Sequence, residues 1–225
     1  MATSPGWAEC LLEMYDRMHG HFGDLRWWPA DSPFEIIVGA ILTQNTAWQN
    51  VTFAINKLKE AGALTPQDMY LLPISTLAEL IRSSGFYQVK ARRLANFLSF
   101  LHDEYGNSLD RMFAGHLWQL RQILLQIKGV GEETADCILL YAGKKPVFVI
   151  DAYTRRILER HGILVGRESY ADVQALFMNH LPASSALFNQ YHALLVNTGK
   201  TFCRKERHCE LCPLKNFNSP QECFT

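Results

Sequence analysis

The chain has no excess charge of either sign: 22 Lys and Arg stand against 22 Asp and Glu, for a formal net charge of zero. A globally basic surface is thereby excluded, so any grip on phosphate has to come from local clusters. Four are present: Lys90-Ala91-Arg92-Arg93, Lys144-Lys145, Arg155-Arg156, and the run from Lys200 to Arg207. No apolar run approaches the roughly 18 residues that a membrane span needs. The start, Met1 to Gly6, lacks the charged opening and apolar core of a secretory signal. Internal repeats and low-complexity tracts are missing as well, which excludes solenoids and disordered linkers. Strand patterns are nearly absent; the one short run, 146–150, reads as a strand or an extended connector.

What is present is helical periodicity. It predicts helices over 7–20, 34–43, 47–61, 77–84, 88–105, 117–126, 132–142, 152–161, 169–180 and 185–198. Thr76-Leu77-Ala78-Glu79 has the form of a capping box and should start a helix, while Gly143 and Gly162 sit where helices should stop. With 225 residues, the chain is long enough for one large domain or two lobes around a sizeable core. The reading is an all-α protein with a loop-rich tail.

The six cysteines are unevenly placed. Cys10 and Cys137 stand alone, and Cys203, Cys209, Cys212 and Cys223 crowd together with gaps of five, two and ten residues. In a chain without a secretory signal, such a cluster points to a metal site over a disulfide framework. Four thiolates satisfy either a [4Fe-4S] cluster or a zinc ion, and the spacing alone does not choose.

The densest motif is Lys128-Gly129-Val130-Gly131-Glu132-Glu133, between helices 117–126 and 132–142. Two glycines flanking one apolar residue at a helix start let backbone N–H groups approach an anion closely. The bland alternative is an αα-hairpin whose glycines serve the turn. Asp151 closes the apolar run Val147-Phe148-Val149-Ile150 and is a preferred N-cap for the helix that follows. A capping carboxylate is held rigidly, which also suits a group that stabilises positive charge or orients water.

At these residues the chain resembles the helix-hairpin-helix (HhH-GPD) superfamily of DNA glycosylases, the endonuclease III group. The resemblance implies a two-lobed helical fold. One lobe is 1–32 plus 145–225 with an iron–sulfur loop at 203–223; the other is 33–144, a helical barrel carrying the hairpin at 117–142. It implies that Asp151 is catalytic and that Cys203, Cys209, Cys212 and Cys223 hold a [4Fe-4S] cluster, with zinc the lesser alternative. Two of the three cysteine gaps differ from the family's usual spacing. Bifunctional members carry a lysine two residues after the second hairpin glycine; here that residue is Glu133, which cannot form the Schiff base of strand-cutting chemistry. An acid there is also favoured by the helix dipole.

Aromatic and polar blocks extend the resemblance. Trp27-Trp28-Pro29, Leu42-Thr43-Gln44-Asn45-Thr46, Ser84-Gly85-Phe86-Tyr87 and the hairpin together look like 3-methyladenine DNA glycosylase III, in which a glutamate also replaces the lysine. By this resemblance Trp27, Trp28 and Trp48 line a pocket for an extruded base, against the alternative that they are core. From the resemblance to endonuclease III, Gln44 matches the residue that fills the gap left by that base, against a plain helix-end polar residue, and Phe86 matches the apolar wedge, against core packing. Lys90, Lys128, Gly129, Val130 and Gly131 join these two as DNA contacts. The implied activity is monofunctional removal of alkylated purines from damaged double-stranded DNA. The alternatives are a bifunctional enzyme for oxidised pyrimidines, using another lysine such as Lys128 or Lys144, and a non-catalytic DNA-binding module. A cytoplasmic, nucleoid-associated monomer of a bacterium or archaeon, away from membranes, is the expectation.

Overall fold

The computed structural model describes residues 6–206 and 208–217, and it is all-helical: among these residues no strand forms. The chain divides into two compact units, one made of the residues up to Trp27 and those from Pro146 onward, the other of Trp28–Lys145. No helix among the described residues is long and apolar enough to cross a membrane.

The first unit is built on α1 (Trp7–Phe22), α10 (Ala152–Arg160), α11 (Tyr170–His180) and α12 (Ser185–Thr201). Helix α1 buries Cys10, Leu11, Met14 and Met18, the one-sided spacing of an amphipathic helix. It packs on α12, where the Tyr191 hydroxyl donates to the Leu11 carbonyl at 2.7 Å. Local chemistry sets the helix starts. Ser169 and Asp172 form a reciprocal capping box on α11, and Ser184 caps α12.

The run 146–150 is an extended connector. Val147, Phe148 and Val149 are fully buried, so the backbone polar groups need partners. Side chains supply them: Gln174 Nε2 donates to the Phe148 carbonyl at 2.7 Å, and the Ile150 N–H donates to the Tyr170 hydroxyl at 3.2 Å. Phe148 stacks on Phe177 with centroids 3.9 Å apart and meets Phe188 and Tyr191 edge-on.

The second unit surrounds α2 (Pro33–Leu42), whose residues are buried almost all round its circumference. Ser32 caps it, accepting the Glu35 N–H at 3.1 Å, and Pro33 sits at the first turn, where a missing N–H costs nothing. The unit's other helices are α3 (Trp48–Glu60), α4 (Pro66–Tyr70), α5 (Ile74–Leu80), α6 (Tyr87–Tyr105), α7 (Leu109–Phe113), α8 (Leu117–Gln126) and α9 (Glu132–Cys137), of which α3, α6 and α9 pack on α2.

Three helix boundaries depart from the sequence expectation. Helix α5 starts at Ile74, not at Thr76, because Pro73, with φ fixed at −55°, takes the cap position. The expected helix 77–84 ends at Leu80 and tightens into a 3₁₀ turn at Arg82–Ser84. The expected helix 132–142 is α-helical only to Cys137 and widens into a π turn over Ile138–Ala142. Helices α4 and α7 have five residues each, too few to show a period; Thr65 and Ser108 cap them.

Candidate functional site

The hairpin joins α8 to α9 within the second unit. Gly129 has φ of +103°, and a Cβ there would run into the Arg93 side chain. Gly131 is different: its backbone is extended, and a Cβ would meet nothing within 4 Å. The fold therefore demands glycine at 129 only. Gly129→Ala is expected to cost about 1–3 kcal/mol, as strained left-handed residues do, whereas Gly131→Ala should stay within about 0.5 kcal/mol; thermal melts of both variants check this.

Beneath the hairpin, Arg121 of α8 and Asp136 of α9 form a bidentate pair at 2.7 and 3.0 Å, with Asp136 fully buried. Sequence reasoning missed this clamp. Its signal was Arg121 itself, which lies at helical spacing between the apolar Leu117 and Leu124.

The expected DNA contacts do not share one fate. Lys128 is exposed, and its carbonyl accepts from Asn96 at 2.8 Å. Val130 is a correction: its side chain is buried and its N–H is spent on the Ile127 carbonyl at 3.0 Å, so it packs the turn and offers no contact. Lys90 is a second correction. It is 1% exposed, and its ammonium donates to Leu42 O at 2.8 Å, Thr46 Oγ1 at 2.5 Å and Ser84 O at 2.6 Å. Burial, helped by the nearby Arg93 charge, pushes its pKa down to about 8. With its three N–H groups spent inside the protein, Lys90 has none for a phosphate.

Gln44 lies just past the end of α2. Its Nε2 donates to Gly129 O at 3.2 Å and Thr134 Oγ1 at 2.8 Å, and its Oε1 accepts from Arg93. The structure thus brings Gln44 to the hairpin. Phe86 caps α6 in a left-handed conformation with φ of +46° and is 73% exposed, so it is not a core residue.

The three tryptophans separate into two settings. Trp28 and Trp48 meet edge to face with centroids 5.0 Å apart, and Trp28 also faces Tyr141 at 5.2 Å. Gly39 permits this closeness, since a Cβ there would lie 3.3 Å from the Trp28 ring. The pair borders a cleft of about 380 Å³ that also includes Glu35, Ile55, Asn56 and Lys59. Trp27 belongs to the first unit, where the Lys200 ammonium lies over its ring at 5.5 Å.

Asp151 caps α10: its Oδ1 accepts the Thr154 N–H at 2.7 Å, and its side chain is 11% exposed. The other oxygen, Oδ2, faces His192 Nε2 at 3.7 Å. Burial pushes the His192 imidazole below its usual pKa; the Asp151 charge opposes this and Lys200 reinforces it. Lys200 is also lowered by burial and held up by Asp151. His192 and Lys200 are eight residues apart, near two helical turns, so α12 presents both on one face. In the sequence Lys200 appears only as the start of a basic run, and the i, i+8 spacing is the one trace of His192 beside it.

In the tail, Cys203 and Cys212 are half-buried and Cys209 is exposed. Cys223 lies outside the described residues, as does Arg207. Among the described residues, no group of three or more His, Cys, Asp or Glu side chains is gathered tightly enough to hold one metal ion. Cys209 and Cys212 share one turn, in which the Cys212 N–H donates to Cys209 O at 3.2 Å. Cys212 is raised by burial, and the Cys203 and Cys209 charges raise it further. Arg156, from one of the basic clusters, and Arg160, which the sequence did not single out, anchor this loop. Arg156 Nε donates to Cys203 O at 2.7 Å, and Arg160 Nη1 donates to Cys203 Sγ at 3.1 Å. A soft all-sulfur donor set with arginine donors beside it fits an iron–sulfur cluster.

The HhH-GPD model of base excision DNA repair proteins matches residues 38–183, which hold the hairpin and Asp151. The chain belongs to the HhH-GPD superfamily. MJ1434, a candidate DNA repair glycosylase of Methanocaldococcus jannaschii, is 42% identical over 210 residues, covering 93% of this chain and 96% of its own. Among solved structures, an endonuclease III–DNA complex superposes with a TM-score of 0.80 at 23% identity, over 100% of this chain and 99% of that one. This likeness concerns the fold: the superfamily member described here has the endonuclease III architecture. A Helicobacter pylori 3-methyladenine DNA glycosylase bound to 1,N6-ethenoadenine superposes with a TM-score of 0.72 at 28% identity, over 87% of this chain and 98% of that one. The activity class that comes with the superfamily is DNA glycosylase chemistry in base excision repair.

Proposed function

We propose that this protein is a monofunctional DNA glycosylase that hydrolyses the N-glycosidic bond of alkylated purines, such as 3-methyladenine, in double-stranded DNA. The observation that carries the monofunctional part is Glu133: an exposed acid follows the hairpin where an attacking amine would be needed. The purine part is supported by the paired indoles of Trp28 and Trp48 and by the similarity to the H. pylori enzyme. A 3-methylated adenine carries positive charge, which an indole face favours by about 0.5–2 kcal/mol per good contact.

Asp151 stabilises the oxocarbenium-like sugar and orients the attacking water. One of its oxygens is fixed by the Thr154 N–H and the other remains for chemistry. A cationic base leaves without being protonated first, so a general acid is unnecessary. The backbone at Gly129 and Gly131 receives a phosphate, and open space at Gly131 lets the strand approach. Exposed Lys128 adds charge beside it. Gln44 fills the gap left by the extruded base, exchanging its bonds to Gly129 O, Thr134 Oγ1 and Arg93 for bonds to the orphaned partner, while Phe86 enters the unstacked step.

Cys203, Cys209, Cys212 and Cys223 hold a [4Fe-4S] cluster, which when bound staples a tail too short to fold alone. Arg156 and Arg160 orient the first of these ligands.

The test is an assay of the purified protein on methylated and oxidised duplexes, with base release scored separately from strand breaks. Methylated purines should be released and the strand left intact. A covalent protein–DNA adduct trapped by borohydride would overturn the monofunctional assignment; release of oxidised pyrimidines alone would overturn the substrate class.

A further inference from the structure

We propose that Lys90 is a positioning residue that ties the Gln44 loop to the Phe86 turn, so that plug and wedge enter DNA as one rigid device. This rests on the roles given above to Gln44 and Phe86. The first observation is the geometry of the ammonium. Its three bonds reach two separate chain segments: Leu42 O at the end of α2 and Thr46 Oγ1 in the loop that follows and carries Gln44, and Ser84 O two residues before Phe86. Thr46 closes the knot by donating its own hydroxyl to Ser84 O at 2.5 Å.

The second observation is independent of the lysine. Two non-glycine residues with left-handed backbones flank the knot: Asn45 at φ of +54°, next to Gln44, and Phe86 itself at φ of +46°. Such conformations persist only where surrounding contacts over-determine them. A bulky aromatic in this region, 73% exposed, gains little packing in return for the strain. Bonds at the carbonyl and hydroxyl oxygens on both sides are what hold the two segments. A methionine would fill the same buried space, but it would leave Leu42 O and Ser84 O without their shared donor and the two loops free to move separately.

The decisive experiment uses a duplex with a tetrahydrofuran abasic site and an adjacent 2-aminopurine, whose fluorescence rises when its step is unstacked. Wild type, Lys90→Met, Gln44→Ala, Phe86→Ala and the Lys90→Met/Phe86→Ala double variant are compared at a temperature where all are folded. The proposal expects Lys90→Met to keep its affinity for undamaged duplex yet to lose the fluorescence rise. Single-turnover base release should fall on the order of tenfold to a hundredfold, as for a misplaced catalytic part. The double variant should be no worse than the worse single one, because both remove the same device. If Gln44→Ala and Phe86→Ala lose the signal and Lys90→Met keeps it, the proposal is wrong and the roles of plug and wedge stand. If those two variants also keep it, both fail. Should Lys90→Met not fold, Thr46→Val removes the hydroxyl at the centre of the knot; a full wild-type signal from that variant also overturns the proposal.

Discussion

Asp151→Asn is expected to lower base release by about 10²–10³-fold, the usual loss when one preorganised electrostatic group is removed from a charged transition state. Duplex affinity should hardly change. The contrast follows from the geometry. Asparagine is as good an N-cap as aspartate, and its Oδ1 accepts the same Thr154 N–H, so α10 keeps its start. What disappears is the negative charge. That charge holds up the pKa values of both His192 and Lys200, so both groups move further towards their neutral forms in the variant. Single-turnover kinetics on a methylated duplex, alongside an anisotropy titration, separate the two effects. Parallel losses in rate and affinity would reduce Asp151 to a cap.

The largest effect on stability is expected from Asp136→Ala. Truncation leaves the Arg121 guanidinium buried, with Glu132 at 3.6 Å as its remaining carboxylate neighbour among the ion pairs of the described residues. Breaking a buried ion pair by removing one partner costs about 3–5 kcal/mol. The loss falls on α8 and α9, so the hairpin loosens and duplex binding weakens with it. Arg121→Met combined with Asp136→Leu should recover most of the stability, since a well-packed apolar pair replaces a buried ion pair at little cost. Urea melts of the wild type and the two variants provide the check. A loss below about 1 kcal/mol for Asp136→Ala would show that water reaches the guanidinium and that the clamp is not closed.

Much of this protein is written in local patterns. Helical periodicity places ten of the helices within a few residues, because most bury one face and the period is a property of neighbouring residues alone. The glycine pair, the capping aspartate and the cysteine spacing are likewise local, and with the resemblance they led to the superfamily. Glu133 is a single letter that narrows the chemistry, and no tertiary contact is needed to read it.

The fates of Lys90, Val130, Arg156 and Arg160 were not legible in this way. Each looks like a surface or hairpin residue in its own segment; Val130 is buried in its own turn, and the three cations are claimed by partners far along the chain, Leu42 O for Lys90 and the Cys203 loop for the two arginines. A basic cluster in sequence says only that charge is present. Whether that charge faces a phosphate or a buried carbonyl depends on which segments fold against it, and burial of an ammonium is tolerated only when all its donors find acceptors. The same holds for His192 and Lys200, which a period of eight aligns on α12 but only packing against α10 places at Asp151. The sequence by itself determined the helices, the hairpin and the acid in place of an amine. The tertiary structure decided which cations are spent inside the protein and which groups surround the aspartate, because those are long-range contacts that no local pattern encodes.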